Sequence, residues 1–341
     1  MIKVYCKRKA DFKLTTKYQI LKLLEESDGK LVSGGDIAEK LSISRTAVWK
    51  QIAALQQDGY RIISEPSKGY LLQPSNVLSA YEIEKRLTTH TVARPVLYFP
   101  TIDSTNTYAK THTELENGTV IVASHQTAGV GRLSRKFHSP EGQGVYLSIL
   151  LHPDMIAMAD ISTITLLTSV AVVDTIEQLS GVRPDIKWTN DVYLHGRKLC
   201  GILTEATVEG ESGVIRNIIV GIGLNLYQTY EDFAPEIRDI AGSVFSETGK
   251  KISAADYVAC LSKNFERYYL DEHFPANKAS FLQKYKDALF FLGQTVQVIS
   301  VRETYMAVAE DIDENGCLIV RKEDGTVAAL NSGEISLKIP R

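Results

Sequence analysis

The chain of 341 residues is 44% hydrophobic and 23% charged, a composition typical of a soluble globular protein with two or three domains. Its four cysteines are scattered without a C-x-x-C pair, and its seven histidines show no metal spacing, so the sequence predicts neither a zinc site nor a disulfide framework. Because it shows no apolar run of membrane-spanning length and no signal-peptide core, we expect a cytoplasmic protein with no membrane partner.

The net charge of −3 is distributed unevenly along the chain. Residues 1–76 hold 13 basic against 8 acidic side chains, a net charge of +5, whereas the remainder carries −8. A basic N-terminal segment on an acidic body indicates a nucleic-acid-binding module, although an unevenly charged surface gives the same count.

The first elements form a pattern of three short helices and a hairpin. Apolar residues recur at helical spacing from Ile20, and residues 33–42 predict a second helix. Residues 43–60 predict a third helix, which begins after the capping residue Ser44. Residues 61–72, "RIISEPSKGYLL", then predict two short strands around a turn. This order is typical of a winged helix-turn-helix, and a helical protein-interaction domain is the alternative.

We expect DNA contacts from the start of the third helix and from the wing. The candidate DNA-binding residues are Ser44, Arg45, Thr46, Lys50 and Lys68. Trp49 either contacts DNA or packs against the wing, and we expect packing. Turn-forming residues at 73–76 predict that this first domain covers residues 1–76, of which residues 1–15 match no pattern.

Strands and helices alternate through a second predicted domain, residues 77–290. Two apolar strands are predicted first, followed by a long apolar helix that ends at Gly181. Residues 184–227 predict three more strands, the first two joined by a turn at His195 and Gly196. Helices packed on a mixed sheet make the predicted class α+β.

One loop of this domain combines bare backbone with cationic side chains. Residues 125–140, "HQTAGVGRLSRKFHSP", contain two glycines together with Arg132, Arg135 and Lys136. Glycine lets a backbone approach a ligand closely, and cationic groups donate charge-assisted hydrogen bonds. The loop therefore suits a phosphate or carboxylate, and a solvated basic surface loop is the alternative.

Three further stretches indicate chemistry: "DSTN" at 103–106, "KWTNDVYLHGRKLCGIL" at 187–203 and "GIGLN" at 221–225. In the second, Lys198 alternates with Cys200 and Ile202 on one predicted strand face. A lysine on an apolar face is costly unless an anion or acceptor meets it. An edge strand that lets Lys198 reach water is the alternative. In the first stretch, a helix cap explains Ser104 equally well.

Together these motifs resemble the bifunctional biotin–protein ligases that also act as biotin operon repressors, over nearly all of residues 17–341. The loop is similar to the family's biotinyl-adenylate loop, G-R-G-R-x-G-R-x-W, at Gly129, Gly131, Arg132 and Arg135. It departs from that pattern at Val130, Ser134 and Phe137. "KWTND" resembles K-W-P-N-D, and "RKLCGIL" resembles R-K-x-x-G-I-L, which carries the family's biotin- and adenylate-contacting lysine, here Lys198.

The resemblance implies a ligase that activates biotin with ATP and Mg²⁺ to biotinyl-5′-adenylate. It then transfers biotin to a lysine of the biotin carboxyl carrier protein of acetyl-CoA carboxylase. Retained adenylate acts as corepressor, so that a homodimer binds operator DNA. The alternatives are a lipoate-type acyl-protein ligase and a ligand-sensing repressor that no longer catalyses.

The resemblance also implies roles for individual residues, with Lys198 and Arg132 as the catalytic pair. The implied biotin-binding residues are Ser104, Thr105, Asn106, Gln126, Gly129, Arg132, Trp188, Lys198 and Gly201. The implied ATP- or adenylate-binding residues are Arg132, Arg135, Phe137, Lys187, Asn190, Asp191 and Asn225. The metal ligands stay unassigned, with Asp191 as the nearest candidate.

The last predicted domain, residues 291–341, contains short alternating runs typical of a small β-barrel. Turns are predicted at Asn315–Gly316 and at Asp324–Gly325. The segment resembles the family's SH3-like C-terminal domain.

Overall fold

The computed structural model describes residues 15–153, 156–209, 214–299, 303–331 and 334–337. It divides into two compact units, Met1–Glu82 and Ile83–Arg341. The predictions for residues 1–14 and 338–341 lie outside the described residues.

The N-terminal unit is the winged helix-turn-helix that the sequence predicts. Its helices are α1 (Thr16–Glu26), α2 (Gly34–Leu41) and α3 (Arg45–Gln57), and its wing is the antiparallel hairpin of β1 (Ile62–Glu65) and β2 (Gly69–Leu72). The Ser44 hydroxyl caps α3 by accepting a hydrogen bond from Ala47 N at 3.1 Å. One face of α3 is buried through Val48, Ile52 and Leu55, which packs the helix onto α1 and α2.

One feature of this unit differs from expectation. Trp49 does not pack against the wing, because 61% of its surface is exposed. Two residues that follow the predicted linker at 73–76 also contact this unit. The hydroxyls of Tyr60 and Ser79 lie 3.1 Å apart, and the Tyr81 hydroxyl donates to Glu25 at 2.8 Å.

The larger unit contains, within its described residues, a mixed sheet of seven strands in the order β3-β4-β5-β9-β8-β7-β6. These are β3 (Val96–Ile102), β4 (Val120–Gln126), β5 (Gly144–Leu151), β6 (Asp185–Lys187), β7 (Asp191–Leu194), β8 (Arg197–Glu209) and β9 (Val214–Asn225). Only the pairing of β3 with β4 is parallel among those described. The α+β class is therefore confirmed.

The helices of this unit are α4 (Ala80–Glu84, which begins in the first unit), α5 (Thr105–Thr111), α6 (Ile161–Ser180), α7 (Val244–Thr248), α8 (Ala254–Glu266) and α9 (Ala279–Asp287). Helix α6 ends at Gly181, whose φ of 77° is the left-handed C-cap that glycine favours. It packs on β8 and against α8 and α9. The segment Met158–Ser180 is long and apolar enough to cross a membrane, contrary to expectation, but 72% of its most apolar window is buried as a core helix.

The region 184–227 holds four strands where the sequence predicts three. The backbone leaves the sheet at Trp188–Asn190, which separates β6 from β7. The predicted turn between β7 and β8 is confirmed, because His195 and Gly196 both have positive φ, as a type I′ hairpin requires.

The C-terminal part is a small antiparallel sheet, as predicted. Its strands, within the described residues, are β10 (Thr295–Ile299), β11 (Thr304–Ile312), β12 (Leu318–Lys322), β13 (Val327–Leu330) and β14 (Glu334–Leu337), in the order β13-β12-β11-β10-β14. The two predicted turns are present, with positive φ at Gly316 and Gly325.

Candidate active site

A pocket of about 450 Å³ opens on one face of the seven-stranded sheet. Its floor is made of glycine, because Gly201 on β8 pairs directly with Gly223 on β9, and Gly221 lies two residues away. A β-carbon on Gly223 would lie 2.5 Å from the ring of Phe137, and one on Gly201 would lie 3.3 Å from it. The missing side chains thus leave room for the Phe137 ring to lie on the sheet.

The Phe137 ring belongs to the glycine- and arginine-containing loop, which folds back on itself over the pocket. Gly131 N donates to Arg135 O at 2.7 Å, and Phe137 N donates to Gly129 O at 2.9 Å. The Gly131 N–H is therefore engaged within the loop. A β-carbon on Gly129 would lie 2.7 Å from Phe137 O, so glycine is needed there for the backbone to pack closely. Gly129, a predicted biotin-binding residue, is not among the residues that line the pocket, whereas Gly131 is.

The cationic side chains of this loop face the pocket. Arg132 and Arg135 both line it. The Arg132 guanidinium donates from Nη1 to Thr189 Oγ1 at 3.0 Å and to Asn190 Oδ1 at 2.8 Å. These two bonds tie the loop to the turn between β6 and β7, and they aim a fixed positive charge at the pocket.

Lys198 reaches the same pocket from β8, where its ammonium forms an ion pair with Asp191 at 2.7 Å. Its side chain is 33% exposed. Strand β8 lies between β7 and β9, so Lys198 is not on an edge strand, and that alternative is wrong. The pairing of β7 with β8 shifts at Leu199, which is an extra residue in the register.

Because of this bulge, the prediction that Lys198 and Cys200 lie on the same face of the strand is wrong. The Lys198 Nζ atom lies 3.3 Å from the position of a β-carbon on Gly201, so the lysine lies over the glycine floor. Cys200 is fully buried, and burial raises the pKa of its thiol far above the ordinary value. The bulge thus separates the lysine from the apolar positions that the sequence pattern placed beside it.

The other end of the pocket is a buried polar network around the start of α5. Thr105 N donates to Gln126 Oε1 at 2.9 Å, and the Ser104 hydroxyl caps the helix by accepting from Thr107 N at 3.4 Å. Asn106 Oδ1 accepts from the Ser148 hydroxyl at 2.5 Å, and its Nδ2 donates to a carboxylate oxygen at 2.9 Å. Thr105 and Asn106 therefore lie in one hydrogen-bond network with Gln126. Ser104 caps the helix beside this network, and all four residues line the pocket.

Other members of this network were not predicted from the sequence. They include Ser148, whose hydroxyl oxygen also lies 2.8 Å from Thr105 Oγ1, and Glu205, which accepts from Asn106. Ser148 is a single polar residue in the buried strand β5, and this is the signal that indicates a special role. Glu205 gives no comparable signal, because its strand is only partly buried there.

Two more predicted site residues lie where β6 leads into the turn before β7. Trp188, a predicted biotin-binding residue, is 3% exposed, lines the pocket, and donates from Nε1 to Gly316 O at 3.1 Å. Lys187, a predicted ATP-binding residue, also lines the pocket, with its ammonium 5.6 Å from the centre of the Tyr193 ring. The Trp188 indole is thus held by the turn at Gly316 in the C-terminal sheet.

The two asparagines predicted to bind ATP, Asn190 and Asn225, donate hydrogen bonds to backbone carbonyls. Asn190 Nδ2 donates to Ile202 O at 2.9 Å, and Asn225 Nδ2 donates to Gly242 O at 3.0 Å. In the described ranges no group of three or more His, Cys, Asp or Glu side chains suits a metal ion. Asp191 with its neighbours therefore fits only a cation that brings most of its ligands with it, as Mg²⁺ bound to a triphosphate does.

The candidate DNA-binding residues lie in the N-terminal unit and are all exposed. Arg45, Thr46 and Lys50 lie on α3 behind the Ser44 cap. Lys68 lies at the tip of the wing, 3.0 Å from the Glu65 carboxylate. The exposed face of α3 and the wing therefore carry the cations that a phosphate backbone requires.

Comparisons with known proteins agree with this arrangement along the whole chain. Three family models match in order: an HTH domain at residues 16–71, the biotin/lipoate A/B protein ligase family at 98–225, and the biotin protein ligase C-terminal domain at 291–338. The bifunctional ligase/repressor BirA of Bacillus subtilis is 35% identical over 95% of this chain and 99% of its own length. BirA of Escherichia coli is 30% identical over 95% of this chain and 98% of its own length.

A solved structure shares the larger unit's fold. Biotin protein ligase from Aquifex aeolicus, in complex with biotin and ATP, superposes with a TM-score of 0.63 at 27% identity, covering 71% of this chain and 98% of that one. The full-length similarity to the two bifunctional relatives is decisive, because it includes the DNA-binding module as well as the ligase fold. The chain belongs to the family of bifunctional biotin–protein ligases and repressors.

Proposed function

We propose that this chain makes biotinyl-5′-adenylate, transfers biotin to a carrier lysine, and represses biotin genes with the adenylate as corepressor. The observation that carries the catalytic part is the convergence of Lys198, Arg132 and Arg135 on one pocket whose far end is a network of buried hydrogen-bonding groups. The pocket offers positive charge at one end and fixed polar partners at the other. This suits a ligand that has a carboxylate at one end and a ureido ring at the other.

In the first step, a biotin carboxylate oxygen attacks the α-phosphorus of ATP, and the bond to pyrophosphate breaks. Both reactants are anions, so the step needs cations that screen their repulsion. Lys198 and Arg132 supply that charge, with Arg135 on the same loop. Mg²⁺ bound to the triphosphate would neutralise part of its charge, and Asp191 is the pocket carboxylate that would help to hold it.

In the second step, the uncharged amine of a carrier lysine attacks the carbonyl carbon of the mixed anhydride. The new C–N bond forms, the C–O bond to AMP breaks, and the amine loses its proton. Until the carrier arrives, water must be kept from the anhydride. The loop that bears Arg132 and the Phe137 ring over the glycine floor perform that closure. We propose a lysine of a biotin carboxyl carrier protein as the acceptor.

The polar network at the start of α5 holds the ureido ring of biotin. Buried polar groups of a ligand need partners, and Ser104, Thr105 and Gln126 provide donors and acceptors at the pocket wall. Trp188 supplies an apolar part of that wall. Each of these roles follows from the position of the side chain in the pocket.

The test of the catalytic part is ATP–pyrophosphate exchange with biotin, and separately with lipoate. We expect the wild type to catalyse exchange with biotin and not with lipoate. Lys198→Ala should lose this exchange, whereas the control variant Lys251→Ala, which removes an exposed lysine, should retain it. Exchange with lipoate instead would identify the other acyl-protein ligase. No exchange with either acid would leave a ligand-sensing repressor.

The repressor part couples the pocket to DNA. The adenylate adds a phosphate and an adenosine to biotin, so it can make contacts with the arginine loop that biotin alone does not make. We propose that these contacts favour a cytoplasmic homodimer that binds an operator with two half-sites. A coupling free energy of about 1–3 kcal/mol, or roughly 5- to 150-fold in affinity, is typical.

An operator titration at fixed salt tests this coupling, because phosphate contacts make the affinity steeply salt-dependent. We expect tighter binding with biotin and ATP together, and little change with biotin alone. Equal affinity with and without the intermediate, at protein concentrations below the dimerisation constant of the free chain, would contradict the corepressor role.

A further inference from the structure

The recognition helix presents one large apolar side chain to solvent. Trp49 on α3 is 61% exposed, although its neighbours Val48, Ile52 and Leu55 on the same helix are buried. An exposed indole is uncommon on a monomeric surface unless it meets a partner.

The neighbours of Trp49 indicate which partner that is. Arg45 and Trp49 lie one helical turn apart, as do Thr46 and Lys50. These four exposed side chains therefore share one face of α3. Two cations, Arg45 and Lys50, flank the indole, and α3 contains no acidic residue. This face of the helix is complementary in charge to a polyanion. Trp49 is also the fifth residue of α3, within the first turns of the helix, which contact base edges in this motif.

We propose that Trp49 is a specificity-determining residue that reads a thymine through its methyl group in the major groove. This inference rests on the proposed function as a DNA-binding repressor and extends it. The edges of bases in the major groove are polar except for the C5-methyl of thymine. The indole presents a broad apolar face and a single N–H donor, so the thymine methyl is the base feature that it matches. The flanking Arg45 and Lys50 contact phosphates and carry no sequence information.

The experiment removes single methyl groups from DNA and compares the effect in variants of the full chain. A duplex selected from a random library by the wild-type chain with biotin and ATP is the probe. Each thymidine in turn is replaced by deoxyuridine, which differs only by lacking the methyl. We expect one position per half-site at which this replacement weakens wild-type binding about three- to fivefold, the value of one buried methyl. The same replacement should leave Trp49→Ala unaffected.

Two variants make the result specific to Trp49. Lys50→Ala is the matched control on the same helix face. It should weaken binding to all duplexes alike and reduce the salt slope by about one, whereas Trp49→Ala should keep the slope. Trp49→Phe, which keeps an apolar ring, should retain part of the thymine preference. Because Trp49 is exposed, the thermal unfolding of both variants should match that of the wild type.

Three outcomes would overturn the inference. Replacement of thymidine by deoxyuridine could weaken DNA binding by Trp49→Ala as much as it weakens binding by the wild type. Trp49→Ala could bind the selected duplex as the wild type does. It could also change only the sedimentation of the dimer, which would assign the indole to a contact between copies of the chain. Failure of the wild type to select any duplex would instead refute the DNA-binding function itself.

Discussion

The glycine floor predicts the effect of adding one carbon to it. In Gly223→Ala, the new methyl would lie 2.5 and 2.6 Å from two carbons of the Phe137 ring, about 1 Å inside the normal contact distance. Gly223 lies in a central strand, whereas Phe137 lies in a loop, so the ring must move. Overpacking of this kind costs about 1–3 kcal/mol. We expect that free energy to act against the closed loop, and therefore to weaken adenylate binding about 5- to 150-fold.

The assay is a double-mutant cycle that combines Gly223→Ala with Phe137→Ala. Adenylate dissociation and thermal unfolding are measured for all four chains. When the ring is absent, the added methyl meets nothing from it, and the effect on dissociation should largely disappear. Gly201→Ala provides a graded comparison, because its β-carbon lies 3.3 Å from the ring and 3.3 Å from Lys198 Nζ, so each neighbour needs only a small adjustment.

The unfolding measurement shows whether the added methyl destabilises the closed loop or the sheet. We expect little change in Tm for Gly223→Ala, since a surface loop and not the sheet accommodates the methyl. The reasoning would be refuted by an equal loss of adenylate in the presence and absence of the Phe137 ring. A large fall in Tm with unchanged dissociation would refute it as well.

Arg132→Gly should still form adenylate but release it about 10- to 100-fold faster, the value of a charge-assisted hydrogen bond, and label bystander lysines; full retention would contradict this. Burial tends to raise the pKa of Asp174, but Tyr268 and nearby cations lower it overall, so its stabilisation is lost as pH falls through the folded pKa. Asp174→Asn should lower Tm by several degrees at pH 7, and the difference in Tm between the variant and the wild type should vanish below about pH 4. Burial, partly offset by Arg94, raises the pKa of Glu84 to about 7, which destabilises the fold as pH rises; Glu84→Gln should raise Tm at pH 8 more than at pH 5.

Local features were predictable from the sequence because neighbouring residues determine them. The capping serine at Ser44, the glycine that ends α6 and the hairpin at His195–Gly196 each act within a few residues. The motif order also placed Lys198 and Arg132 in one site, and both line the same pocket. The bounds of the three predicted domains remain predictions.

Features that depend on strand register were not predictable. The extra residue Leu199 appears only when β7 is paired with β8, and it reverses the face on which the lysine lies. The facing of Gly201 and Gly223 likewise requires the register of β8 with β9. Ser148 joins the site from 42 residues away in sequence, through a hydrogen bond to Asn106. The sequence pattern marks Ser148 as unusual in an apolar strand, but it does not show which residue the serine contacts.

Two of the cations of the site, Lys198 and Arg132, are carried by different kinds of element, and this difference suits them to different tasks. Lys198 lies on a central strand and is paired with a carboxylate, so an incoming anion must compete with a full negative charge for it. Arg132 lies on the loop, and its Nη1 atom donates to oxygens of Thr189 and Asn190. A phosphate oxygen is a stronger acceptor than either of these groups. The arginine can therefore connect an anionic ligand to both the loop and the turn between β6 and β7, whereas the lysine supplies charge from the sheet.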